Sequence, residues 1–131
     1  MSHTGLDTVH AFLLDLDGVL HRGKERLPGA VELVDTLLAT RTPFLVMTNN
    51  ATSTPDQVAA RLNGMGIAVD REQVYSSAMA TTGWLQQRYP AGSRVLYVGE
   101  TGLRSALEEG GFALVDSHKD AEVVVAALDR S

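Results

Sequence analysis

The chain has 131 residues, 44% of them hydrophobic and 21% charged, which is enough for an α/β domain with its own core and unlike a disordered or fibrous composition. Sixteen acidic residues against 11 basic ones leave a formal charge of -5 with no Lys/Arg cluster, which argues against nucleic acid as a partner. The absence of cysteine excludes disulfides, thiolate metal sites and cysteine nucleophiles, and it suits a cytoplasmic protein.

Residues 1–10 lack the basic stretch that opens a secretory signal, and the apolar run 11–14 is too short to cross a bilayer, so no membrane partner is expected. Residues 9–16 read as a short buried strand bounded by Gly18, followed by a polar, irregular segment over 18–27. Pro28-Gly29 opens a helix whose apolar face is Val31, Val34, Leu37 and Leu38. Residues 44–47 form a second buried strand that ends at Thr48-Asn49-Asn50. Thr54, Pro55 and Gln57 supply the cap, the first-position proline and the capping-box partner of the next helix. Val58, Leu62 and Met65 line that helix, and Gly64 and Gly66 end it. Strand, helix, strand, helix in this order predicts a Rossmann-like parallel sheet flanked by helices.

Asp70 and Gln73 form a second capping box, and Ser77 caps a helix over 78–89 in which Trp84, Leu85 and Tyr89 pack inward. After a turn at 90–93 a second α/β series begins: strand 94–98, loop 99–102, helix 103–109, a Gly110-Gly111 stop and a β-branched strand at 122–128. Gly99-Glu100-Thr101-Gly102 lacks a full dinucleotide fingerprint and reads as a tight connection. A central strand at 122–128 without a covering helix exposes apolar faces and points to self-association, with a homo-oligomer as the candidate assembly. A boundary near 76–78 separates a core, residues 1–78, from a second unit, residues 79–131.

Ligands of open parallel sheets bind at the carboxyl ends of strands, and two polar groups fall there. Asp15 and Asp17, separated by one residue, suit a hard cation with oxygen ligands; for phosphate chemistry that cation is Mg²⁺. One carboxylate can attack phosphorus while another carboxyl serves the leaving oxygen, and Gly18 permits an unusual backbone angle beside them. Thr48 offers a hydroxyl with backbone N–H groups after it, and Asn49 and Asn50 tolerate the left-handed angles of a tight phosphate loop. Taken singly, each group also reads as an ordinary strand exit or helix cap.

The two together carry a resemblance. The segment 12–20, FLLDLDGVL, is similar to the first motif of the haloacid dehalogenase superfamily, and 46–50, VMTNN, to its second. The likeness continues through 62–67, 74–78, 95–103 and 123–129, and is finest to the subfamily of NagD-like, phosphoglycolate, pyridoxal and p-nitrophenyl phosphatases. It implies Mg²⁺-dependent hydrolysis of a small phosphorylated metabolite through an aspartyl phosphate. On that footing Asp15 is the nucleophile and a metal ligand, and Asp17 the acid/base and a metal ligand through its carbonyl. Thr48 and Asn49 hold the phosphoryl group with Gly18 beside them. In this subfamily the cap follows the second motif, so residues after 78 resemble its first half.

Two family elements have no counterpart. A Lys and a further acidic cluster are expected beyond the cap; the two lysines, Lys24 and Lys119, lie out of context, and Asp116, Asp120 and Asp129 fall in the cap-like half. The chain therefore looks truncated, and weak or absent turnover is expected of it alone. His21 replaces an aromatic residue common among relatives and reads as a solvated loop position, while His3, His10 and His118 are too scattered for a metal site.

Overall fold

The computed structural model describes residues 8–131; the leader reading of residues 1–7 lies outside them. Two three-stranded parallel sheets each carry helices on one face. The first contains β1 (Phe12–Asp15), β4 (Phe44–Thr48) and β5 (Val74–Ser76) in the order β1-β4-β5. The second contains β6 (Arg94–Val98), β7 (Ala113–Val115) and β8 (Val123–Ala126) in the order β7-β6-β8. The 122–128 segment is thus shorter than expected and lies at a sheet edge, with β6 central.

Alternation decides what the first sheet buries. Leu14, Val46 and Val74 share one register row and face α1 (Ala30–Ala39) and α2 (Pro55–Gly64), whose Val34, Leu37, Val58 and Leu62 complete the core. Each such fully buried aliphatic side chain stabilises by about 1.5–3 kcal/mol. Leu38, expected on this face, is exposed; Ala30 is buried in its place and Leu33 packs against the cluster. On the opposite face Leu13 is 68% exposed, with Met47 and Tyr75 also open to solvent.

Residues 18–27 are not irregular. Two short strands, β2 (His21–Arg22) and β3 (Glu25–Arg26), pair antiparallel as a flap, and Leu20 and His21 are buried beneath it. Pairs this short carry almost no periodicity, so the sequence gives no sign of them. Arg26 anchors the flap by donating from Nη1 to the Met65 carbonyl at 2.9 Å.

Thr54 caps α2 as read. Its hydroxyl accepts from Gln57 N–H at 3.2 Å, and Gln57 Oε1 accepts from Thr54 N–H at 2.9 Å. Removing the cap with Thr54→Ala is expected to cost about 1 kcal/mol and to lower the thermal midpoint by about 4 °C, measurable by circular dichroism; an unchanged midpoint would count against the cap. At the other end Gly66, at φ 83, lets Ile67 N–H reach the Leu62 carbonyl at 3.0 Å and closes the helix.

A second hydrophobic cluster joins α3 (Ser77–Gln86) and α4 (Thr101–Glu109) to the second sheet, with Leu85, Val95, Leu103, Leu107 and Phe112 buried in it. α3 is shorter than expected and is capped by Ser76, whose Oγ accepts from Met79 N–H at 3.3 Å. Trp84 does not pack inward: it is 52% exposed, with the Arg88 guanidinium 3.8 Å from its ring centre. No helix among the described residues is long and apolar enough to cross a membrane.

Candidate active site

Asp15 ends β1 beside Met47 of β4, on the sheet face that no helix covers. The chain then turns sharply. Leu16 N–H donates both to the Met47 carbonyl (3.0 Å) and to Asp15 Oδ1 (2.9 Å), which fixes the carboxylate at the strand end. Leu20 and His21 N–H return to the Leu16 carbonyl, and Gly18 N–H donates to the His21 carbonyl at 2.8 Å. Gly18 makes this possible at φ 85, an angle that side chains resist. The turn leaves the Asp17 side chain 67% exposed.

One strand over, Thr48 ends β4 and is buried. Its Oγ1 accepts from Asn50 N–H at 3.1 Å, so the hydroxyl proton stays available to a ligand oxygen. Asn50 organises the loop by accepting from both the N–H (2.8 Å) and the hydroxyl (2.6 Å) of Thr52. Ser77 Oγ donates to the Asn49 carbonyl at 2.8 Å. Gly102 N–H, in the first turn of α4, donates to the Thr52 carbonyl at 3.0 Å. The loop is therefore pinned from the sheet, from α3 and from α4. Neither Asn49 nor Asn50 takes the left-handed angle expected of it; among the described non-glycine residues Arg41 alone does, at φ 53. The side-chain bonds of Asn50 do the shaping that backbone strain was expected to do.

Asp15, Thr48 and Asn49 line one concavity of about 460 Å³ together with Ser77, Met47 and Tyr75. A second, of about 560 Å³, shares Asn49 and Ser77 and runs toward Leu103 and Ala126 of the second unit. Asp17 and Gly18 line neither and stand on the turn that follows. Ser77 and Asn50 carry weight the sequence did not disclose, because Ser76 and Ser77 are equal cap candidates until the end of β5 is known.

His21 is not solvated: it is 4% exposed, and its Nε2 lies 3.7 Å from Asp17 Oδ1. Lys24 is exposed at the flap turn and Lys119 on a turn of the second unit. In the 99–102 connection Gly102 lies against the loop backbone, and Glu100 accepts from Arg130 Nε and Nη2 at 2.7 Å each, which holds the Glu100 carboxyl below the usual carboxylate range.

The donors available to a metal are oxygens. No group of three or more His, Cys, Asp or Glu suited to a metal exists among the described residues, which leaves the Asp15–Asp17 pair and nearby carbonyls. Mg²⁺ is commonly held by one or two carboxylates plus substrate phosphate, so this donor set fits it.

The model of a family described as haloacid dehalogenase-like hydrolase matches residues 12–113. This chain belongs to the haloacid dehalogenase-like hydrolases. A 5'-nucleotidase, YutF, from Bacillus subtilis (strain 168) is 39% identical over 126 residues, covering 96% of this chain and 48% of that protein. The glycerol phosphate phosphatase Rv1692 from Mycobacterium tuberculosis, in complex with magnesium, superposes with a TM-score of 0.84 at 32% identity, over 93% of this chain and 36% of the other. NagD from E. coli K-12 does so with a TM-score of 0.84 at 29% identity, over 94% and 48%. The NagD-like resemblance is thus upheld, and this haloacid dehalogenase-like chain spans about half the length of the curated relatives it matches.

Proposed function

We propose that this chain carries the nucleophile and phosphate-binding part of a Mg²⁺-dependent phosphomonoesterase. The observation that carries the reading is the meeting of Asp15 and Thr48, from the ends of adjacent parallel strands, in one concavity. An Asp15 carboxylate oxygen attacks phosphorus as the ester P–O bond breaks, and the leaving oxygen takes a proton from Asp17. A water then attacks the aspartyl phosphate, gives its proton back to Asp17 and releases inorganic phosphate. The Thr48 hydroxyl and Asn49 orient the phosphoryl oxygens, with Gly18 keeping the turn beside them open. Asp15 and the Asp17 carbonyl would hold Mg²⁺, which would neutralise phosphate charge there.

Residues 1–78 form the core of this reading, and 79–131 the first part of a cap over the substrate. Relatives named for nucleotides and for glycerol phosphate support a small phosphorylated metabolite as substrate. With Lys24 at the flap turn and no third carboxylate at the site among the described residues, slow turnover is expected of these 131 residues alone; one missing charge-stabilising donor costs about 10²–10³ in rate.

The test is phosphate release from p-nitrophenyl phosphate by the protein isolated from its source, beside the 131-residue chain. Mg²⁺-dependent release, lost in chelator, is the expected result. The open sheet face at Leu13 and the exposed Val124 favour a second reading, a phosphate-binding fragment that self-associates. Concentration-dependent sedimentation without turnover in either sample would establish that reading and sink the first.

A further inference from the structure

We propose that His21 is a positioning residue: it presents an Nε2–H to the Asp17 carboxylate and so fixes the direction in which that carboxylate faces. The proposal rests on the acid/base role given to Asp17 above.

His21 is 4% exposed, and neither Nδ1 nor Nε2 has a hydrogen-bond partner among the described residues. A buried ring N–H without an acceptor is costly, and native structures rarely keep one without a purpose. Asp17 Oδ1 stands 3.7 Å from Nε2, just beyond hydrogen-bond range.

The two partners differ in freedom. His21 is fixed: its carbonyl accepts from Gly18 N–H at 2.8 Å, and its strand pairs with Arg26, which is tied to the Met65 carbonyl. Leu27 N–H closes the flap onto the Leu20 carbonyl at 2.9 Å. The Asp17 side chain is 67% exposed and able to rotate. A fixed donor facing a mobile acceptor selects one rotamer of the acceptor. A small turn of Asp17 closes the gap, satisfies Nε2 and leaves the second carboxylate oxygen free for the leaving group. A merely structural ring in this slot would need no nitrogen at all.

Two measurements on the protein isolated from its source decide the matter. Long-range proton–nitrogen correlation NMR, recorded without metal, is expected to place the His21 proton on Nε2, with that resonance moving in Asp17→Ala. Because Asp17 is exposed, this variant leaves the fold intact. In steady-state kinetics with p-nitrophenyl phosphate, His21→Phe keeps the volume and is expected to lower kcat about tenfold, part of the roughly 10²–10⁴ a positioned acid supplies, with KM unchanged within about twofold. His21→Gln, which restores an N–H donor, should recover most of that loss. A proton on Nδ1 that ignores Asp17→Ala, or a His21→Phe enzyme with unchanged kcat, would overturn the proposal. The NMR result stands whether or not the protein turns over, so a failed phosphatase reading and a failed His21 reading are distinguishable.

Discussion

Asp15→Asn is expected to lower phosphate release from p-nitrophenyl phosphate by about 10⁴-fold or more while leaving the thermal midpoint unchanged. The substitution keeps the planar shape of the side chain and an oxygen in the Oδ1 position. Leu16 N–H can therefore go on donating there, as it does now at 2.9 Å. Asp15 is exposed on the open face of the first sheet, so no core contact is disturbed, and the stability change should stay within about 0.5 kcal/mol. What disappears is the anionic oxygen that, on the proposed reading, forms the bond to phosphorus. A residue that only held the cation would behave differently: its loss would be smaller, and excess Mg²⁺ would restore part of the rate. Retention of more than about one percent of the rate, or rescue by Mg²⁺, would remove Asp15 from the nucleophile's role.

Gly102→Ala is the second large effect, and its sign is the informative part. Gly102 lies inside α4, where alanine is worth about 1 kcal/mol over glycine by propensity alone. A Cβ at this position would lie 2.4 Å from the Ser53 carbonyl oxygen and 2.5 Å from that of Ala51, backbone atoms that cannot step aside like a flexible side chain. The helix would have to retreat, breaking the Gly102 N–H bond to the Thr52 carbonyl and loosening the loop behind Thr48. A net destabilisation of about 2–3 kcal/mol is expected, read as a lower denaturant midpoint at unchanged slope. Gly83→Ala in α3 is the control, since nothing stands within 4 Å of its Cβ; it should be neutral or stabilise by up to about 1 kcal/mol. Stabilisation by both substitutions would mean that α4 does not rest on the loop.

Where a residue type had a single strong local use, the sequence was legible. Thr54, Pro55 and Gln57 make a capping box wherever they fall at a helix start. The strand read as buried over 9–16 is shorter and half open: Leu14 is buried while Leu13 and Asp15 face solvent, because the pleat turns them to the face without helices. Long-range partners were not legible. Ser76 and Ser77 have equal capping chemistry, and only the register of β5 beside Thr48 makes one the cap and sends the other to the Asn49 carbonyl. Trp84 looked like core on hydrophobicity, yet Arg88 one turn later gives its ring a partner at the surface. β7 is three residues long, and pairing with β6 rather than pattern makes it a strand. His21 was misplaced for a related reason: a polar residue in a polar segment is buried only because the flap folds over it.

The exposed Trp84 also settles how this chain can be watched. It is the chain's one tryptophan, half open to water and covered on one ring face by a guanidinium. Intrinsic emission is then a report from a single outward-facing indole on α3, two helical turns past Ser77. Melting of the first sheet leaves that indole in much the same medium, so its emission colour changes little when the core is lost. Ellipticity follows collapse of the core, while quenching of the indole by iodide follows whatever comes to rest on α3.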